Sequence, residues 1–328
     1  MAKKYCLIFS DRENFTWNLE FLFAKMSVLE EEFDVTLVGF KENKAWGATG
    51  GYNQVPYCKN LLRKPDVVFA HHGWWDQAHN VCLWARQHRI PVVVLEHGVT
   101  LWHQPQATYR ATIGQADRAC LWSARNLEVT KLYGRHAAQG CIVTGNPQYD
   151  VLQYYTAPPE RIPGTPKDYA LVLSTWSIQK DAPRHHANAL AKIIPCVLKV
   201  HPNETFYKNR KPARIVGKEV VLVYDQAALL QLIYHAKIVV STISSAMLTA
   251  MYWKKPIYIV NKPEPKQPSI SSFIEDFQDV FNWKPEPIWS EKDLESPKIA
   301  TTEDFIYFGG PADGKNTERV IDVIKSLL

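Results

Sequence analysis

The chain of 328 residues contains no apolar run approaching the roughly 18 residues that a membrane-spanning helix requires. Its N-terminal run Tyr5-Cys6-Leu7-Ile8-Phe9 follows two lysines but stops at Ser10-Asp11-Arg12, too short for the apolar core of a secretory signal. A cytoplasmic protein is expected, working in solution or at the inner surface of a membrane. The 6 cysteines are Cys6, Cys58, Cys82, Cys120, Cys141 and Cys196. They are dispersed, without the spacing of a zinc knuckle or a redox pair, and read as reduced core residues. Among the 11 histidines, His71/His72 and His185/His186 are adjacent rather than four apart, and neither HExxH nor a paired-aspartate pattern accompanies them. No metal is expected, and no cofactor. The first strand-like run is not followed by GxGxxG. Neither a P-loop nor a GxSxG elbow occurs, which argues against hydride transfer, P-loop nucleotide hydrolysis and acyl transfer. Solenoid repeats and low-complexity tracts are absent too.

What is present is ordinary globular material with a strong rhythm. Hydrophobic residues make up 46% and charged residues 22%, enough apolar content for two cores given domains of roughly 100–200 residues. The formal charge of +5 suits an anionic partner but falls short of a dedicated nucleic-acid binder. Short apolar runs at 5–9, 35–40, 66–70, 91–96, 119–122 and 141–144 alternate with helix-like segments such as 17–32 and 76–88. Such alternation predicts a parallel sheet with helices on both faces. Between Tyr155 and Asp168 the periodicity stops and four prolines appear, which reads as a linker. A second series follows, with strands at 169–174, 196–201, 220–224, 238–241 and 257–260 and helices near 187–193, 226–235 and 245–252. The organisation predicted is therefore an N-terminal domain over 1–155, a linker over 156–168 and a C-terminal domain over 169–312. A final helix over 313–328 follows, either packing back on the first domain or capping the chain. Two doubly wound, Rossmann-like domains of this kind form a cleft between facing strand ends.

Two β-branched runs end in groups able to hold an anion. Leu198-Lys199-Val200-His201-Pro202-Asn203 closes on a lysine and a histidine, and Val239-Val240-Ser241-Thr242-Ile243-Ser244-Ser245-Ala246 closes on hydroxyls that open a helix. Lys199 and His201 are two residues apart, so in a strand both side chains point to one face and can meet one phosphate; Pro202 then stops the strand. Thr242, Ser244 and Ser245 add hydroxyls and backbone N–H groups. In open α/β sheets, ligands gather beyond the carboxyl ends of strands. Two such ends in one half of the chain predict a phosphorylated ligand.

In the first half, His97-Gly98 follows the run 91–96 and places an imidazole at the carboxyl end of a central strand. There it can take a proton from a hydroxyl at neutral pH; a histidine bonded to a neighbouring loop is the structural alternative. Glu96 is a second candidate for the same task, although strand alternation sends its side chain to the other face, where it would orient a neighbouring group. His71-His72-Gly73-Trp74-Trp75-Asp76 ends the preceding strand. Tryptophan faces stack on sugar rings, so His72, Trp74 and Trp75, with Asp11 at the end of the first strand, form the acceptor side. Packing at a domain interface accounts for the same aromatics.

Several motifs taken in order resemble those of GT-B glycosyltransferases. They are His97-Gly98, Thr144-Gly145-Asn146-Pro147-Gln148-Tyr149-Asp150, Ser174-Thr175-Trp176, Lys199-Val200-His201-Pro202, Ser241-Thr242-Ile243-Ser244-Ser245, and Asp313-Gly314-Lys315 with Glu318-Arg319. The nearest likeness is to the CDP-glycerol glycerophosphotransferase and capsule-type branch, which includes sialic-acid and Kdo-type transferases. This resemblance implies that His201 and the Ser244/Ser245 pair hold the donor's phosphates, that Thr175 and Trp176 lie beside them, and that His97 is the catalytic base. It further implies a cytidine nucleotide donor, with UDP as the alternative. The aspartate usual before the serines of the glycerophosphotransferases is here Ser241-Thr242. Non-hydrolysing UDP-N-acetylglucosamine 2-epimerases share the Thr-Gly-Asn-Pro and His-Pro-Asn steps, though the His-Val-Glu-Ala-Gly pattern expected of them is not found.

The reading that follows is a metal-independent transferase of polysaccharide biosynthesis, moving a sugar from a nucleotide donor to a hydroxyl acceptor. Lys199 and His201 would stabilise the departing phosphate and His97 would deprotonate the acceptor. A glycan or glycolipid is the favoured acceptor and a nucleic acid the alternative one. Rival readings are an epimerase-like isomerase, a glycerophosphotransferase, a nucleic-acid-modifying glycosyltransferase and a catalytically silent nucleotide-sugar binder.

Overall fold

The computed structural model describes residues 3–10, 26–39, 64–71, 76–96, 113–133, 138–154, 158–174, 181–201, 216–225, 228–262 and 277–328. The chain divides into two compact units, Met1–Tyr154 with Ile306–Leu328, and Tyr155–Phe305.

The first unit is built on six parallel strands: β1 (Lys4–Ser10), β2 (Phe33–Gly39), β3 (Val67–His71), β4 (Val92–Leu95), β5 (Arg118–Leu121) and β6 (Cys141–Val143). Their spatial order is β2-β1-β3-β4-β5-β6. Helices α1 (Met26–Glu32), α2 (Asp76–Gln87) and α3 (Ala124–Tyr133) belong to the crossovers. Parallel strands covered on both faces read as continuous apolar runs, and β4, Val-Val-Val-Leu, is buried throughout. Leu7, Val68, Ala70, Val92 and Val94 pack against Val81, Cys82 and Ala85 of α2.

The second unit repeats the plan with β7 (Ala170–Leu173), β8 (Cys196–Lys199), β9 (Val220–Val223), β10 (Ile238–Ser241), β11 (Ile257–Ile259) and β12 (Asn282–Trp283), ordered β12-β11-β10-β7-β8-β9 and again parallel. Helices α4 (Ala182–Leu190), α5 (Leu229–His235) and α6 (Ala246–Tyr252) accompany it, followed by the short α7 (Lys292–Glu295). Ala187 and Leu190 of α4 pack on Ala170, Val172, Cys196 and Leu198. The proline-rich stretch expected to be a linker belongs to this unit. Arg161 donates to the carbonyls of Pro166 and Lys167, and a ring nitrogen of His235 meets the Pro159 carbonyl at 2.5 Å.

Two helices close the chain, α8 (Thr302–Gly309) and α9 (Asn316–Lys325). The return to the first unit begins at Ile306, ahead of residue 313. In α9 the apolar residues Val320, Ile321, Val323 and Ile324 are all buried, as their helical spacing predicts. Gly310 sits at φ +98°, and a Cβ there would lie 1.9 Å from the Trp122 carbonyl oxygen, so both conformation and space require glycine.

These six-stranded sheets, wound in both directions from β1 and from β7, are the doubly wound fold that the sequence rhythm predicts. The edge strand β12 and helices α3 and α8 lie beyond that prediction. Among the described residues no helix is long and apolar enough to cross a membrane.

Candidate functional site

Both sheets have a topological switch point, where the strand order reverses and crossovers leave on opposite faces. In the second sheet it lies between β7 and β10, and ligands in such folds bind beyond the carboxyl ends there. The residues that follow β7, β8 and β10 are those whose sequence suggests a phosphate site.

His201 lies two residues past the end of β8. Val200 continues the ladder by donating its amide to the Val223 carbonyl at 2.9 Å. The His201 amide then turns to a side chain, donating to Ser174 Oγ at 2.7 Å, so that hydroxyl ties the β7 and β8 strand ends together. The Ser174 amide donates to the Lys199 carbonyl at 3.0 Å. Lys199 itself is buried, and its ammonium donates to the Val200 carbonyl at 2.7 Å.

At the end of β10, Ser241 and the following Thr242 are buried, and Ser241 Oγ donates to the Thr242 carbonyl at 2.6 Å. The Ile243 amide donates to Asn261 Oδ1 at 2.8 Å, which anchors the serine-rich turn to a residue two positions past β11. Ser244 Oγ accepts the Ala246 amide at 3.3 Å. Ser245 is the first flanking residue of α6 and makes no side-chain cap. Asn261 escapes the sequence reading because it matters only through a strand pairing; its one signal is a polar residue directly after an apolar run.

In the first unit Glu96 follows β4 and is only 4% exposed. Its amide donates to the Cys120 carbonyl at 3.0 Å, keeping it in register with β5. Oε2 accepts the Trp122 amide at 3.0 Å and also a short hydrogen bond from Asn126 Nδ2. Oε1 is buried without a hydrogen-bond partner among the described residues, as is Trp122 Nε1. Burial pushes the carboxyl up to about 8, outweighing the two hydrogen bonds that lower it. Such a group exchanges protons near neutral pH.

Asn126 is held in turn. Ser123 Oγ donates to Asn126 Oδ1 at 3.0 Å and accepts the Asn126 amide at 3.3 Å, an N-cap contact at the start of α3. Thr130 Oγ1 donates to the Asn126 carbonyl at 2.8 Å. Asn126 is a site residue the sequence reading missed. The pattern Ser123-x-x-Asn126 ahead of a helix is the signal that marks it.

His97, Asp11, His72, Trp74, Trp75, Thr175, Trp176 and Pro202 lie outside the described residues. The structure thus brings Ser174 to His201 and Asn261 to the serine turn, and surrounds Glu96 with Trp122 and Asn126. Cys6, Cys82, Cys120, Cys141 and Cys196 are buried thiols outside any disulfide, pushed up to about 12 by burial, which disfavours the reactive thiolate. Among the described residues no three His, Cys, Asp or Glu side chains are grouped to hold a metal ion.

No protein-family model matches the chain, and no curated protein sequence matches it. Solved structures do. The UDP-GlcNAc 2-epimerase of Methanocaldococcus jannaschii, in complex with UDP-GlcNAc and UDP, aligns over 98% of this chain and 99% of its own at 14% identity, with a TM-score of 0.66. The UDP-N-acetylglucosamine 2-epimerase from Rickettsia bellii aligns over 99% and 97% at 12% identity and a TM-score of 0.64. The glycotransferase of kitacinnamycin covers 100% and 96% at 11% identity and a TM-score of 0.53. At these identities the likeness is one of fold: the GT-B-like, two-domain α/β architecture.

Proposed function

We propose that the protein acts on a nucleotide-linked sugar and isomerises it, as an epimerase does, holding the nucleotide phosphates at the carboxyl edge of the second sheet. The observation that carries the reading is Glu96: a buried carboxyl at a strand end, with one oxygen anchored and the other unpartnered among the described residues. Inverting a carbon requires one proton to leave and one to arrive, and a carboxyl held near 8 can carry a proton in either direction. His97, the next residue, is the second proton-handling candidate.

The phosphate subsite rests on His201, with its backbone fixed by Ser174, and on the serine turn fixed by Asn261. Fold neighbours have been solved with uridine nucleotides bound, which favours uridine over the cytidine implied by the sequence resemblance. N-acetylglucosamine is then the first sugar to try. Most of the structural neighbours are 2-epimerases, which moves isomerisation ahead of glycosyl transfer to a hydroxyl. Transfer is the second reading, supported by the sequence resemblance and by the glycotransferase of the same fold.

Incubation with UDP-GlcNAc alone in deuterated water separates the two. An epimerase gives the C2 epimer with solvent deuterium at the inverted carbon and needs no acceptor. A transferase releases nucleotide only when a hydroxyl acceptor is added. Unchanged nucleotide sugar under both conditions, across uridine and cytidine donors, rejects the proposal.

A further inference from the structure

The two oxygens of Glu96 are in unequal surroundings. Oε2 accepts two donors, the Trp122 amide and Asn126 Nδ2, whereas Oε1 has no partner among the described residues. Asn126 brings its own support, since Ser123 Oγ donates to its Oδ1 and thereby presents Nδ2 toward the carboxyl. Trp122, Ser123 and Asn126 all lie where β5 passes into α3, so a single strand-to-helix turn grips one oxygen of a carboxyl that belongs to the end of β4.

We propose that Asn126 is a positioning residue for Glu96: with the Trp122 amide it holds Oε2, and so makes Oε1 the oxygen that exchanges a proton with the substrate. The inference rests on the isomerase reading above. In the step itself, Oε1 as carboxylate takes the proton from one face of the sugar carbon, or as carboxylic acid supplies the proton to that face, while a second group, for which His97 is the candidate, serves the opposite face; one proton leaves and one arrives, so no further reagent is consumed. Asn126 never touches the substrate. It fixes the direction in which Oε1 points, and its N–H favours the ionised form of a group that burial pushes toward the neutral one. Of the titratable groups on the neighbouring strands, the Cys141 thiol, on β6, interacts electrostatically with Glu96, and Cys120, on β5, accepts the Glu96 amide with its carbonyl. Both thiols are pushed up to about 12 and stay neutral through the working range, so neither competes with Asn126 as the cause of a shift.

The test is made on the full chain with 13C label on the glutamate side-chain carboxyl carbons. The Glu96 signal is identified by its loss in Glu96→Gln, and its titration midpoint is followed by NMR. In Asn126→Ala the midpoint should rise by about one to two pH units, the equivalent of one charge-assisted hydrogen bond. Asn126→Asp keeps an acceptor for Ser123 but replaces the donor with a like charge, so it should raise the midpoint further while preserving the shape of the turn. It serves equally if the alanine variant fails to fold. In the epimerisation assay kcat should fall at least tenfold with KM nearly unchanged. The limb of the pH profile that belongs to Glu96 should move with the NMR midpoint. A midpoint unmoved in a folded variant, even one with a lowered melting temperature, assigns Asn126 to structure alone and overturns the proposal. A moved midpoint in a protein that turns over no nucleotide sugar overturns the isomerase reading instead.

Discussion

Asp150 and Thr317 are 167 residues apart in the chain and are joined twice, Oδ2 of the carboxylate accepting the Thr317 amide at 2.8 Å and the Thr317 hydroxyl at 2.7 Å. Oδ1 accepts the Asn316 amide at 3.0 Å, so this one side chain satisfies two of the four amides that the start of α9 leaves unpaired. A negative group also suits that end of a helix. The Thr144-Gly145-Asn146-Pro147-Gln148-Tyr149-Asp150 motif, met in the sequence as part of a family resemblance, thereby acts as the clamp that returns the last helix to the first unit. Asn316 Nδ2 adds to it by donating to the carbonyls of Asn146 and Pro311.

Asp150→Ala leaves two amides and a hydroxyl buried without their acceptor. It should lower the stability of the first unit by about 3 kcal/mol, and Asp150→Asn by about half of that. Denaturant unfolding followed by circular dichroism measures both. A loss below about 1 kcal/mol for the alanine variant contradicts the clamp.

His186 gives the second unit a pH dependence. The imidazole is 1% exposed, and Nδ1 accepts the Trp289 Nε1 proton at 3.0 Å, which places the ring proton on Nε2. Burial lowers it from 6.5 to about 4, opposed by a backbone hydrogen bond at Pro285 and by Glu286 and helped by Lys284 and His185. A depressed folded value means that the unfolded chain takes up the proton first. The stability linked to His186 is therefore fully present above pH 6.5 and is lost as the pH falls from there toward 4, with a slope of up to about 1.4 kcal/mol per pH unit. His186→Asn retains an acceptor for Trp289 and does not titrate. Thermal melts over this range should show the wild type falling relative to the variant, and parallel curves refute the assignment.

Glu96 has the opposite sign. Its carboxyl is raised from 4.5 to about 8, so between those values the folded protein holds a proton that the unfolded chain has released. The contribution is complete below pH 4.5 and is lost as the pH climbs through 8. Glu96→Gln, which keeps an acceptor for Trp122 and Asn126, should melt higher than the wild type at pH 9 and lose turnover at every pH. A wild-type melting profile unchanged relative to the variant between pH 5 and 9 dismisses the neutral carboxyl.

How far the sequence led depends on what each residue needed from its neighbours. Val92–Leu95 reads as a strand because a parallel strand covered on both faces is apolar throughout, and the β12 strand Asn282–Trp283 does not, being two residues long with a polar one first. Helix α3 escaped because its buried face carries Asn126 and Thr130, which break the apolar period. For the same reason the Glu96 site stayed hidden: its partners lie 26 and 30 residues away and meet it only once β4 pairs with β5. His201 and the serine turn were legible because each follows a strand directly. Their fastening to Ser174 and Asn261 was not, since it depends on strand order.

That fastening is what makes His201 the most exacting test of the ligand. Its amide is fixed by Ser174 Oγ at the carboxyl end of β7, beside the sheet's switch point, where an anion belongs. Replacing His201 by Ala should remove a charge-assisted hydrogen bond worth roughly 1.5–3 kcal/mol and weaken a nucleotide about ten- to a hundredfold. Ser174→Ala should weaken it less, through freedom given to the His201 backbone rather than through a lost contact. Ser244→Ala and Ser245→Ala should also cost less than His201→Ala, because the backbone amides of that turn remain. The losses should be larger for UDP than for uridine, since the phosphates carry them. Calorimetric titration of uridine, UDP and CMP into the wild type and each variant reads all of this. Equal affinity in the wild type, His201→Ala and both serine variants places the nucleotide elsewhere in the molecule.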